Sequence, residues 1–211
     1  MNPLQTRRPN AAAIGPAIVY ADPSDAHHLA DLIATAFHDL EPAKWLVPEP
    51  SHRHRVLHAN FELVVEHALQ HGVVLTDEDR TAAAVWFPRE TPLPEIPHYE
   101  RRLSRACGRY TDRFTIMDAA FDRHHPAQPH HHLAFLAVHP DQQGHGLGTA
   151  LLKAHHDRLD SVGLPAYLEA SSQSNRVLYL RRGYTDHGEP IELADGGPWL
   201  WPMWRTPRLT G

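Results

Sequence analysis

His132-Leu133-Ala134-Phe135-Leu136-Ala137-Val138-His139-Pro140-Asp141-Gln142-Gln143-Gly144-His145-Gly146-Leu147-Gly148-Thr149-Ala150-Leu151-Leu152 is an apolar run, a turn with three alternating glycines, and the start of an amphipathic helix. The apolar run reads as a buried strand, and the helix begins at once after the glycines. A helix start leaves its first backbone N–H groups unpaired and carries the positive end of the helix dipole. A strand-turn-helix of this kind can therefore hold a pyrophosphate without a side chain. Glycine lets the backbone approach the oxygens closely and supplies the positive φ that a tight turn often demands.

Two other glycine loops share these electrostatics, and both fail here. The dinucleotide fingerprint needs G-x-G-x-x-G, whereas Gly144, Gly146 and Gly148 run G-x-G-x-G with Thr149 at the place of the third glycine. The ATP-type loop needs a Lys directly after its last glycine, and the nearest, Lys153, lies inside the helix. What remains is Gln143-x-x-Gly146-x-Gly148. Downstream, Pro165 to Ala170 reads as a second strand, and Ser171 to Tyr184 as a loop, a short helix and its Gly183 stop. Asn175 and Tyr179 are four apart and share a helix face.

Together the two segments resemble the GNAT acyltransferase superfamily. There a Q/R-x-x-G-x-G/A loop binds the pyrophosphate of coenzyme A, an Asn precedes a helical Tyr, and a Gly-aromatic pair closes that helix. Leu168-Glu169-Ala170-Ser171 with Asn175 and Tyr179, and the strand Ala84-Val85-Trp86, look most like the puromycin N-acetyltransferase type. Two positions depart from the family pattern: His145 stands where a Lys or Arg is often found, and Tyr184 replaces the commoner Phe.

The resemblance implies an α/β fold, a GNAT-like mixed twisted sheet flanked by helices. Its central strands at 131 to 138 and 166 to 170 splay apart into a slot for pantetheine. It implies acetyl-CoA as cosubstrate, held by Leu136, Ala137, Val138, Gln143, Gly144, His145, Gly146, Leu147, Gly148, Thr149, Asn175 and Tyr179. Tyr179 would donate to the leaving thiolate, and the N–H of Val138 would face the oxyanion. For the base, His132 and Glu169 compete, one on each splayed strand. An imidazole with an ordinary pKa near about 6.5 suits neutral pH, while a carboxylate can hold a cationic acceptor without moving a proton. The expected activity is direct acetyl transfer to a small-molecule primary amine, with a nucleoside-type antibiotic as first acceptor class. Peptide or protein N-terminal acetylation, and a coenzyme A-binding regulator without catalysis, are the alternatives.

Composition agrees with one enzyme domain. The chain of 211 residues, 42% hydrophobic, can bury a full core, and residues 17 to 211 read as a single domain after a flexible tail at 1 to 16. No apolar run reaches ~18 residues and no signal-peptide segment opens the chain, so a cytoplasmic protein without membrane partner is expected. A formal charge of -5 gives no support for nucleic-acid binding. Cys107 is the lone cysteine and reads as an inert thiol. No metal is expected: the run His124-His125-Pro126-Ala127-Gln128-Pro129-His130-His131-His132 matches no zinc spacing. The expected assembly is a monomer or homodimer.

Along the rest of the chain, Ala17 to Ala21 reads as a strand and Asp22-Pro23 as the start of a helix with Leu29, Leu32, Ile33, Ala36, Phe37 and Leu40 on one face. The three prolines of residues 41 to 50 imply a loop around Trp45. A helix at Ser51 to His71 precedes a hairpin of Val73 to Thr76 with Ala82 to Phe87. Residues 88 to 130 are a partly helical insertion. Thr185 to Leu193 and Trp199 to Trp204 read as closing strands, with Trp199, Trp201 and Trp204 as core or interface aromatics.

Overall fold

The structure, a computed structural model, describes residues 16–194 and 196–208; residues 1–15, nearly all of the expected tail, lie outside them. The described residues open with β1 (Ile18–Tyr20). Asp22 then caps a short 3-10 turn through a reciprocal capping box with Asp25, with Pro23 inside the first turn. That turn runs into α1 (Ala26–Phe37). Residues 41 to 50 are not a loop: α2 (Glu41–Leu46) occupies most of them, and Pro50 starts α3 (Pro50–His71). Proline is tolerated in a helix's first turn, where its missing N–H has no intrahelical partner, so Pro42 and Pro50 mark starts.

β2 (Val73–Asp77) and β3 (Ala82–Pro88) form the expected hairpin. The insertion carries two helices, α4 (Tyr99–Cys107) and α5 (Thr111–His124). Then follow β4 (His131–Val138), α6 (Leu147–Val162), β5 (Ala166–Ala170), α7 (Gln173–Leu180), β6 (Thr185–Asp186), β7 (Ile191–Glu192) and β8 (Trp199–Arg205). The single strand expected at 185 to 193 is therefore two fragments. Gly188 at φ +78 and Pro190, which has no N–H to offer β8, interrupt it.

The mixed sheet runs β1-β2-β3-β4-β5-β8-β6, with β7 also paired to β8. α1 and α3 cover one face over Ala83, Val85, Phe87 and Ala137. α6 and α7 cover the other over Ala84, Trp86, Leu133, Leu168 and Met203. α5 reaches the far end, where Ala120 packs with Ile191, Leu193 and Leu200. Cys107 is buried, and burial pushes its thiol up to about 12, as an inert thiol requires. No helix among the described residues is long and apolar enough to cross a membrane.

Under α6 the core holds histidines. His155 stacks on Trp86 and bonds to His131 at 3.0 Å, and His156 bonds to the Tyr184 hydroxyl at 2.9 Å. Burial drives the pKa of both down to about 3. An unfolded histidine takes up its proton near about pH 6.5, while these two refuse it until about 3. Between those values the unfolded chain binds more protons than the folded one, so stability is full above about 6.5 and is lost as pH falls. Each histidine contributes at most ~1.4 kcal/mol per pH unit. The melting temperature should fall steeply below about pH 6; one that stays flat from pH 7 to about 4.5 would contradict this burial.

Candidate active site

β4 and β5 pair in parallel at only two positions, His131 with Ala166 and His132 with Tyr167. Beyond them β5 follows β8 and β4 follows β3, so the two strands part. Leu133 pairs with Trp86 and Phe135 with Val85, which leaves Ala134 as an extra residue in β4. A bulge of this kind bends its strand and raises its twist. His139 donates its backbone N–H to Thr81 on the β3 side. By strand alternation Ala137 also faces β3, and the backbones of Leu136 and Val138 face the slot that β5 has left. The Val138 carbonyl accepts from the Gln143 side-chain amide at 3.3 Å, which leaves its N–H as the group free for the slot. Ala137, expected with its neighbours as a cofactor contact, is turned away: its backbone pairs with Ala83 and its side chain is buried under α1 and α3.

At the end of β4 the glycine turn is exposed from Asp141 to Gly146. Gly144 and Gly146 sit at φ +81 and +86, and a Cβ added to either would meet nothing within 4 Å. Among the described residues, none of the backbone N–H groups from Gly144 to Thr149 has a hydrogen-bond partner. An open cradle of donors at a helix start is what a phosphate group needs. His145 bonds through Nδ1 to the Gln142 carbonyl. A cation that the sequence pattern did not single out stands nearby: Arg182, just past α7, donates to Thr149 Oγ1 at 2.7 Å. It brings a permanent positive charge to the helix start whose turn lacks Lys or Arg.

Asn175 and Tyr179 share the inner face of α7 as their spacing implies. Asn175 bonds through Nδ2 to Ser171 Oγ at 2.9 Å, and its backbone N–H is capped by Ser172. The Tyr179 ring is packed edge-on against Tyr184 at 5.6 Å, and its hydroxyl has no hydrogen-bond partner among the described residues. Burial raises the Tyr179 pKa above the ordinary phenol value, so the hydroxyl keeps its proton at neutral pH.

The structure brings His132 and Glu169 together. His132 Nε2 lies 2.9 Å from Glu169 Oε2, and both side chains are nearly buried. Burial pushes the Glu169 carboxyl up, but the charge and hydrogen bond of His132 outweigh it and hold the group below the usual carboxylate value. The ionised carboxylate can only accept, so His132 donates from Nε2, and in the neutral ring this tautomer leaves the lone pair on Nδ1. That Nδ1 is buried and has no partner among the described residues. His130 lies outside the strand, which begins at His131. It is wholly buried and donates from Nδ1 to the Gln128 carbonyl at 2.6 Å, which makes its Nε2 the acceptor from His125 Nε2 at 3.1 Å. Burial holds His130 at about 4 and His125 at about 3, so both are neutral beside His132.

The tryptophans of β8 have different surroundings. A cavity of about 570 Å³ opens where β5 ends at Ser171 and Ser172. Trp45, Glu41 and Lys44 of α2 and Trp199 and Trp201 of β8 line it, and Trp201 packs at the same time against the core under α6 and α7. Trp204 packs against His130 and His187.

Residues 112–186 match the acetyltransferase (GNAT) domain family, and that span holds the glycine turn, both splayed strands and α7. Over residues 112–186 this chain is similar to GNAT acetyltransferase domains. Its fold is similar to a Corynebacterium glutamicum protein described as histone acetyltransferase HPA2 and related acetyltransferase, at 27% identity and a TM-score of 0.69 over 93% of this chain and 99% of that one. It is also similar in fold to arylalkylamine N-acetyltransferase 2 of Aedes aegypti, at 12% identity and a TM-score of 0.61 over 91% and 99%. A third similar fold is the polyamine N-acetyltransferase of Drosophila melanogaster, at 18% identity and a TM-score of 0.56 over 90% and 100%. The GNAT domain makes the protein an acetyltransferase, and GNAT acetyltransferases use acetyl-CoA.

The cradle yields a direct test. Gly146→Asp forces a side-chain residue to φ +86 and places a negative charge among the donors. Acetyl-CoA affinity by calorimetry should fall well over tenfold, about 1.4 kcal/mol or more. A folded variant with unchanged affinity would move the cofactor away from this turn.

Proposed function

We propose that this protein transfers acetyl from acetyl-CoA directly to the primary amine of a small molecule that carries a flat aromatic or apolar body. The observation that carries the chemistry is the bond between His132 Nε2 and Glu169, placed where β4 and β5 part. An amine attacks a thioester only as the neutral base, so its ammonium proton must be taken up. His132 Nδ1 takes that proton, directly or through a water, and the imidazolium formed is stabilised by Glu169. Acetyl-CoA supplies an activated carbonyl and a thiolate leaving group. The Val138 N–H, facing the slot, donates to the developing oxyanion. Tyr179 donates to the thiolate. Gly144 to Thr149 and Arg182 hold the phosphates, and Asn175 ties the start of α7 to the end of β5.

The acceptor class is read from the cavity. Trp45, Trp199 and Trp201 present aromatic surface, and Glu41 on the lining is already paired with Lys44 at 3.0 Å, so the aromatic surface is what selects the acceptor. A nucleoside-type antibiotic with an aromatic amino-acid side chain falls within this class. A turnover screen with arylalkylamines, puromycin, polyamines, aminoglycosides and short peptides should show the aromatic amines with the highest kcat/KM. Trp45→Ala should raise their KM about tenfold with kcat little changed. Preference for polyamines or peptides, with Trp45→Ala without effect, would overturn this choice of acceptor.

A further inference from the structure

A second cluster of functional side chains lies away from the slot, between α1 and α3. On α3, His54, His58 and Glu62 are each four residues apart and form one stripe. On α1, His27 and Asp31 have the same spacing and face that stripe. His27 Nδ1 is 3.0 Å from Glu62 Oε1, and the His27 and His58 rings meet edge-on with centroids 4.5 Å apart. One ligand atom from each of His27, His58 and Glu62 lies within 4.8 Å of the other two. His58 Nε2 also sits 3.3 Å from the His27 carbonyl, which orients that ring. One turn away His54 stacks on His58 and lies 3.5 Å from Asp31. Acetyl transfer uses none of these groups.

We propose that His27, His58 and Glu62 form a binding site for a zinc-class transition-metal ion that pins the start of α1 to the middle of α3. Two imidazoles and a carboxylate are the donor set of a borderline ion; calcium and magnesium take all-oxygen sites. Metal–ligand bonds of about 2.0 to 2.2 Å place tetrahedral ligand atoms ~3.4 Å apart, so the widest separation in the cluster needs to shrink by at most roughly 1.4 Å. The His27 side chain is 76% exposed and free to make that adjustment. Three protein ligands leave the remaining position to water, with Asp31 and His54 adjacent. As a mere ion pair at this exposure, His27 with Glu62 would contribute little to stability. As metal ligands, the same groups tie two helices together by mass action.

The test uses the tag-free full chain stripped with a chelator. Zinc titration by calorimetry should show one ion per chain with a dissociation constant of ~10 µM or below, and zinc should raise the melting temperature. Cobalt should give visible absorption of a nitrogen- and oxygen-ligated ion of low coordination number. His58→Ala, Glu62→Gln and His27→Ala should each weaken zinc binding at least tenfold, with folding checked by circular dichroism. His124→Ala, in the other histidine-rich segment, should leave it unchanged. No saturable binding at one ion per chain would overturn the site. So would binding that survives the three substitutions, which would mean adventitious capture by other histidines.

Discussion

His132→Ala is expected to lower kcat for amine acetylation by about a thousandfold, and Glu169→Gln by about a hundredfold, with the KM for acetyl-CoA little changed in both. Alanine removes the proton acceptor. Glutamine in place of Glu169 keeps the shape but offers His132 an amide instead of a carboxylate. The imidazolium then loses its counter-charge, and the Nε2–H tautomer loses the partner that fixes it at 2.9 Å. Residues that act as a unit are not additive, so the double variant should be no slower than His132→Ala alone. Multiplicative losses would mean two independent roles. If Glu169 chiefly held a cationic acceptor, Glu169→Gln would instead raise the acceptor KM and leave kcat in place.

Tyr179→Phe should reduce kcat by about a hundredfold, roughly 2.7 kcal/mol of transition-state stabilisation, while acetyl-CoA binding is retained. The ring is what packs against Tyr184, and phenylalanine keeps it. Only the hydroxyl is lost. Burial keeps that hydroxyl protonated, and it has no partner among the described residues, so it is available to donate to a thiolate as the C–S bond breaks. Turnover within twofold of wild type would make Tyr179 a packing residue. A fall in thermal stability alongside the loss of rate would mark the same conclusion, since Tyr179→Phe deletes no packed carbon.

The parts of the site that were legible in the sequence are those whose physics is local. Glycines at positive φ, a helix that starts straight after a strand, and an Asn and a Tyr four apart on a helix each carry their signal within a few residues. α2 was hidden because Pro42 and Pro50 read equally as loop residues and as helix starts, and only the packing of Ala43 and Leu46 decides between them. Gly188 and Pro190 did announce the break in the strand after residue 186, but the neighbouring apolar residues masked it. The pairing of His132 with Glu169 joins residues 37 apart, so each appeared alone as a candidate base. Arg182 reaches Thr149 across 33 residues, and its only local sign was the Arg pair before Gly183. Trp45 and Trp199 meet around the cavity only because α2 and the start of β8 converge there.

The measurement closest to the central claim is the protonation state of His132. Nitrogen-resolved NMR of histidine-labelled protein, with the His132 signals assigned by their loss in His132→Ala, distinguishes the two neutral tautomers and the imidazolium. The bond to ionised Glu169 predicts that the neutral ring, once formed, carries its proton on Nε2 with a bare Nδ1, and that those signals change clearly in Glu169→Gln. A ring that carries its proton on Nδ1, or that is indifferent to Glu169→Gln, would contradict the dyad and with it the proposed route of the amine proton.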